Sequence, residues 1–253
     1  MLIEIDELID KQYEEDNYRV EYNDCKNGLA YIYCSSNALY EKGNPDSFAK
    51  KVVEGDRYEW LNLRADCKPE LEIFIRDIYL SWYVKGINSK VNSFEKLIKL
   101  MKHLTDGYSV RCVGASSGGF IGNILAMELN APISFCFAGQ FSLEHHFDHL
   151  QKNLYLKEYN LQYGNKYLEY YKDIPNTKVK ILYMYPCQSK QDQEQYELVK
   201  GMNSILTIGV KCSEHGVAIY PFAIPRYLSY TFYDAKKLVG GAENTRSWLL
   251  QLK

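Results

Sequence analysis

From Tyr108 to Leu129 the chain reads Tyr-Ser-Val-Arg-Cys-Val-Gly-Ala-Ser-Ser-Gly-Gly-Phe-Ile-Gly-Asn-Ile-Leu-Ala-Met-Glu-Leu, and few folds accommodate that order. The apolar run Val110 to Val113, bounded by Gly107 and Gly114, predicts a short strand. Ile121, Ile124, Leu125 and Leu129 recur at helical spacing. Between them lies Gly114-Ala115-Ser116-Ser117-Gly118, a G-x-S-x-G set between a strand and a helix. A turn that sharp forces its serine into a crowded backbone conformation. Only glycine two residues before and two after lets strand and helix pass closely enough. The turn lifts the hydroxyl out of the sheet to a helix N-terminus, whose unpaired N–H groups favour developing negative charge. Ser116 is therefore the candidate nucleophile. The plain alternative is a glycine- and serine-rich turn without chemistry. A phosphate-binding loop is disfavoured, because no Gly-Lys-Ser/Thr follows and no G-x-G-x-x-G fits.

The remaining segments alternate in type around this unit. Residues 1–16 read as a short acidic helix or arm, and Tyr18 to Tyr22 as an edge strand. Leu29 to Cys34 is a continuous apolar run of the kind buried on both faces of a parallel sheet. A helix is predicted at 46–54, strands at Arg57 to Leu63 and Leu71 to Ile75, and a helix at about 92–105. Further strands are predicted at Ala131 to Ala138, Val179 to Tyr185 and Ser204 to Val210. Helices follow at 191–201, 223–237 and 241–251. This alternation predicts an α/β fold, a doubly wound and mostly parallel sheet with helices on both faces, as one domain over 1–253. Residues 141–176, rich in tyrosine and without a clean strand, are expected to form a helical cap insertion.

Composition excludes several function classes. A net charge of −2 leaves no electrostatic footprint for nucleic acid. No run of about 20 apolar residues exists, so no membrane span is expected. The acidic opening, Met1 to Asp10, lacks the basic stretch of a secretory signal. The seven cysteines form no C-x-x-C pair, and Cys34, Cys112, Cys136 and Cys212 fall in or beside apolar runs, as free thiols of a reducing cytoplasm would. The 23 tyrosines offer rings for stacking on sugars or bases, although a composition bias explains them equally well.

A serine hydroxyl needs a general base, and the base needs an orienting partner. In an open α/β sheet the loops beyond the strands' C-terminal ends converge on one crevice. His215 lies just past the strand ending at Val210 and is the candidate base. Asp192 lies just past the strand ending at Tyr185 and is the candidate acid, with Glu194, Glu214 and Asp77 as rivals. Histidine is scarce, with five in the chain. His103 falls inside a helix, while His145, His146 and His149 fall in the cap segment, where no H-E-x-x-H supports a metal. No metal and no cofactor are expected. The oxyanion donors are expected to be the backbone N–H of Ser117 and those of the early loop at Ser36 and Asn37. Arg76 and Asp77 are either a structural ion pair or weak substrate contacts, and Trp82 and Tyr83 are further pocket candidates.

With Gly114-Ala-Ser116-Ser-Gly118 followed by Asp192 and His215, the chain resembles the α/β-hydrolase superfamily over most of residues 29–240. The early loop lacks the His-Gly-Gly-Gly form of lipases. More narrowly, Tyr33 to Tyr40, Ile75 to Asp77, Trp82 to Asn88 and Gly114 to Phe120 resemble hydrolase-like proteins of bacterial capsule and surface-polysaccharide clusters, some similar to sugar O-acetyltransferases. The resemblance implies an esterase or O-acetyltransferase acting on a small-molecule or glycan acyl ester, with an acyl donor such as acetyl-CoA if it is a transferase. A peptidase or thioesterase would use the same triad. The alternative from another class is a non-catalytic glycan-binding or assembly protein that keeps the fold.

Overall fold

A computed structural model describes residues 5–143, 154–164 and 166–240. Seven strands form one sheet: β1 (Tyr18–Tyr22), β2 (Leu29–Cys34), β3 (Leu71–Ile75), β4 (Ser109–Ala115), β5 (Ile133–Phe137), β6 (Lys180–Pro186) and β7 (Ile205–Val210). Their spatial order is β1-β3-β2-β4-β5-β6-β7, with β1 antiparallel and all other pairs parallel. The chain winds outward through β3 from one side of β2 and returns to place β4 on the other. The loops after β2 and β4 therefore diverge at this switch point and leave a crevice.

Strand periodicity of two sorts the core into two layers. Ala30, Ile32, Cys34, Ile73, Val110, Cys112, Ile181 and Tyr183 face one layer. It is covered by α3 (Phe94–Leu104) and α4 (Ser117–Glu128). Tyr31, Tyr33, Phe74, Val113, Phe135, Phe137, Leu182 and Met184 face the other, under α7 (Ile224–Leu228) and α8 (Phe232–Gly240). Ser93 caps α3 by accepting the Lys96 N–H at 3.3 Å. Every residue of α4 from Ser117 to Ala126 is buried, mostly apolar with Ser117 and Asn123 hydrogen-bonded, so this helix is packed between sheet and surrounding helices. A smaller cluster joins Ile9 of α1 (Ile5–Tyr13) to Phe48 of α2 (Pro45–Phe48), Val52 and Leu80.

Three expectations require correction. Arg57 to Leu63 is a run of turns, closed by Leu61 N–H to Tyr58 O and Leu63 N–H to Trp60 O. The alternation that suggests a strand arises because Tyr58 and Trp60 are buried against the core, while β1 already occupies the edge of β3. The helix at 46–54 begins as α2 and continues as one π turn, Ala49–Glu54. The 223–237 helix is broken at Thr231, where Asp234 accepts the Thr231 N–H and Thr231 accepts the Asp234 N–H to start α8. The 241–251 helix lies outside the described residues.

Within 141–176 the described parts are α5 (Leu154–Tyr163) and a 3₁₀ turn, Tyr170–Asn176. They pack on the α3–α4 layer: Phe94 meets Tyr167 at 5.4 Å and Phe120 meets Tyr170 at 5.5 Å between ring centroids. Tyrosine is thus used as core more than the composition suggested. Some of its hydroxyls are satisfied in place, as where Tyr170 accepts from Asn123 Nδ2 at 2.9 Å and donates to Gln140 O at 3.0 Å. Cys34, Cys112 and Cys136 are buried free thiols, and burial pushes Cys136 up to about 12. Cys212 is only half-buried, in the loop past β7.

Candidate active site

β4 ends at Ala115, and Ser116 turns the chain into α4 with φ +50° and ψ −122°. A non-glycine residue in this region costs about 1–3 kcal/mol and persists only where the surroundings over-determine it. Here the Ser116 N–H donates to Phe137 O at 2.9 Å, tying the turn to the end of β5. A Cβ on Gly114 would run into the Gly118 carbonyl, and one on Gly118 into the Cys34 carbonyl. Both glycines are therefore required by close backbone approach.

His215 stands in the loop beyond β7, with 27% of its side chain exposed. Its Nε2 lies 2.9 Å from Ser116 Oγ, and its Nδ1 lies 2.9 and 3.1 Å from the two Asp192 oxygens. Asp192 is buried in the first turn of α6 (Lys190–Val199), where the helix N-terminus favours its charge. A carboxylate only accepts, so Nδ1–H donates to Asp192, and Nε2 is left to accept from the Ser116 hydroxyl. Serine, imidazole and carboxylate thus come together from three segments up to 99 positions apart. Glu214 is exposed and Glu194 half-buried, and neither is the partner of the imidazole. His103 sits exposed in the last turn of α3. His145, His146 and His149 lie outside the described residues. Among the described residues, no group of three His, Cys, Asp or Glu side chains is placed to hold a metal.

The serine opens into a cleft of about 480 Å³ lined by Ser36, Arg57, Glu59, Trp60, Ser116 and His215 among others. Ser117 begins α4, so its N–H has no acceptor within the helix. The expected second donors are already engaged. The Asn37 N–H donates to Ser117 Oγ at 2.8 Å, and Ser117 Oγ–H donates to Asn37 Oδ1 at 2.9 Å. This pair locks the early loop to the start of α4. The Ser36 N–H donates to the Glu59 carboxylate, which also accepts from Ser36 Oγ at 3.1 Å. Burial pushes Glu59 above the usual carboxylate range, against the pull of the Ser36 donors and of Arg57.

Arg76, Asp77 and Tyr83 are frame, not substrate contacts. They are 1%, 3% and 0% exposed. Arg76 pairs with Asp56 at 3.0 Å, donates to Asn17 and to the Arg57 carbonyl, and stacks on Tyr58. Asp77 accepts the N–H groups of Tyr79, Ser81 and Tyr83 at 3.0, 2.6 and 2.8 Å. That grip holds a loop in which Leu80, Trp82 and Tyr83 all have positive φ. Tyr83 OH then donates to Ser35 O at 2.7 Å, so the loop buttresses the 35–37 segment. The two residues are not an ion pair with each other. Trp82 is half-buried, its Nε1 3.4 Å from Gln140 Oε1.

No protein-family model matches the chain, and no curated protein matches it. Among solved structures, the capsule O-acetyltransferase of Neisseria meningitidis serogroup A is similar at 13% identity and a TM-score of 0.50, over 79% of this chain and 85% of that one. MenH from S. aureus is similar at 8% identity and a TM-score of 0.45, over 92% of this chain and all of that one. A carboxylesterase from the Thaumarchaeon Nitrososphaera gargenis is similar at 8% identity and a TM-score of 0.46, over 91% and 95% of the two chains. Sheet order, serine turn and the first of these likenesses together define an α/β-hydrolase-like fold.

Proposed function

We propose that this chain is a serine-nucleophile acyl-ester enzyme, an esterase or O-acetyltransferase, working through Ser116, His215 and Asp192 and an acyl-serine intermediate. The observation that carries the reading is the 2.9 Å approach of Ser116 Oγ to His215 Nε2, with Asp192 on the opposite ring nitrogen. A protein that only binds glycans has no need of a strained serine held against an imidazole.

In the first half-reaction Ser116 Oγ attacks the ester carbonyl carbon while His215 Nε2 takes the hydroxyl proton. The carbonyl oxygen becomes an oxyanion, stabilised by the Ser117 N–H at the head of α4. When the tetrahedral species collapses, the bond to the leaving group breaks (C–O to an alcohol from an ester, C–S to the thiol of CoA from acetyl-CoA) and the imidazolium returns the proton to it. The acyl-serine is then attacked by water, releasing a carboxylic acid, or by a sugar hydroxyl, forming a new ester. His215 relays that proton back to Ser116. Asp192 holds the imidazole in the tautomer that accepts at Nε2 and stabilises its charged form.

The substrates of this reading are acylated glycans of a bacterial surface polysaccharide. The likeness to a capsule O-acetyltransferase is one of fold, and it makes a sugar hydroxyl the first acceptor to test. In the transferase mode acetyl-CoA is the donor. A reducing cytoplasm suits the seven free thiols. No described helix is long and apolar enough to cross a membrane. Residues 1–253 are read as one domain, with 141–176 as its cap insertion.

The test offers p-nitrophenyl acetate or acetyl-CoA with and without sugar acceptors, and resolves acetate from acetylated sugar by mass spectrometry. Ser116→Ala is expected to lower turnover by on the order of 10⁴-fold while leaving the fold intact. Folded Ser116→Ala with unchanged turnover contradicts the proposal.

A further inference from the structure

The cleft beside Ser116 contains a carboxylate that the triad does not use. Glu59 accepts from both the N–H and the O–H of Ser36, the residue expected to supply the second oxyanion donor. A substrate carbonyl entering the cleft therefore meets a donor already taken. The backbone under Glu59 is fixed: its N–H donates to Ser35 Oγ at 3.3 Å, Trp60 Nε1 donates to Cys34 O at 2.9 Å, and buried Arg76 donates to the Arg57 carbonyl at 3.1 Å. A second polar partner lies beside the carboxylate. Arg57 Nη2 lies 3.9 Å from Glu59 Oε1, lines the same cleft and is 38% exposed.

We propose that Glu59 is a specificity-determining residue: it keeps the Ser36 N–H closed to a plain alkyl or aryl ester and yields it to an ester whose alcohol carries free hydroxyl groups. This rests on the acyl-serine reading above. A half-buried carboxylate that leaves Ser36 must find replacement donors, since a desolvated charge without a partner is costly. Hydroxyls of a polyol, together with Arg57, supply them. A bare alkyl or aryl group does not. Substrate binding and opening of the oxyanion site are thereby coupled through one side chain, and discrimination follows from what happens to a buried polar group left unpaired.

The experiment measures kcat/KM for p-nitrophenyl acetate and for a mono-O-acetylated methyl glucoside with the native sequence, Glu59→Ala and Glu59→Gln. Rates of Ser116 labelling by an alkyl fluorophosphonate are followed beside them. Glu59→Ala is expected to speed the aryl ester and the probe by about tenfold or more, given that one oxyanion donor is worth on the order of 10² in kcat. The sugar-to-aryl preference should fall by at least a similar factor. Glu59→Gln, of equal size but a weaker acceptor, is expected to lie between, and it carries the test if Glu59→Ala fails to fold. An unchanged preference in folded variants, or a parallel fall on both esters, overturns the proposal while leaving the acyl-serine reading standing. Absence of any Ser116 adduct in all three proteins overturns both.

Discussion

At the residue scale the site is a set of acceptors and donors in nearly closed pairs. Asp192 has His215, His215 has Ser116, Asn37 has Ser117, and Ser36 has Glu59. Glu59 is the partly buried carboxylate in this set whose ionisation is pushed upward by burial, in a cleft it shares with Arg57 and His215. A raised pKa in the folded state means that the native protein binds the proton more tightly than the unfolded chain does. That contribution to stability is complete below the ordinary carboxylate pKa and is lost as pH rises through the raised value. Glu59→Gln stays neutral throughout. Its melting temperature relative to the native sequence is therefore expected to rise as the pH is raised through and above the ordinary carboxylate range. Thermal unfolding followed at several pH values checks this, and a difference that is flat or falls with pH contradicts it. Ser116, Asp192 and His215, which the fold brings into hydrogen-bond contact, could be picked out beforehand because histidine is scarce and each candidate follows a strand. Glu59 could not, because its segment imitates a strand and its partner, Ser36, is 23 positions away.

At the scale of elements, the strand–turn–helix unit depends on backbone clearance. Gly118 faces the Cys34 carbonyl with no room for a methyl group, and the obstacle is backbone that cannot rotate away. Gly122, one turn further along α4, meets nothing nearer than 3.8 Å. Gly118→Ala is therefore expected to destabilise the protein by about 3 kcal/mol or more. Gly122→Ala is expected to be neutral or stabilising by up to about 1 kcal/mol, because glycine is a poor helix former. Denaturant titration of the two variants distinguishes them, and equal losses would contradict the packing described. The sequence pattern predicted most strands to within a residue or two, because each is a short apolar run closed by glycine, proline or polar residues. It failed at Arg57 to Leu63, where periodicity of two records alternate burial in a series of turns. It also gave no sign that Arg76 and Asp77 would serve the frame, since burial of a charged residue depends on distant partners such as Asp56 and the Tyr79–Tyr83 amides.

At the scale of the whole molecule, the sheet order matters most. Placing β2 between β3 and β4 brings the 35–37 loop, the Ser116 turn and the loops after β6 and β7 to one end of the sheet. Nothing local joins Ser116, Asp192 and His215, so their hydrogen-bonded arrangement, on which the proposed serine chemistry depends, exists only in the folded chain. The most direct measurement is labelling of the folded protein with a fluorophosphonate, read by intact mass and peptide mapping, beside Ser116→Ala and His215→Ala. A single adduct on Ser116, absent in Ser116→Ala and slowed by several orders of magnitude in His215→Ala, is the result predicted. An unlabelled native protein, or an adduct that forms equally fast without His215, would contradict the account.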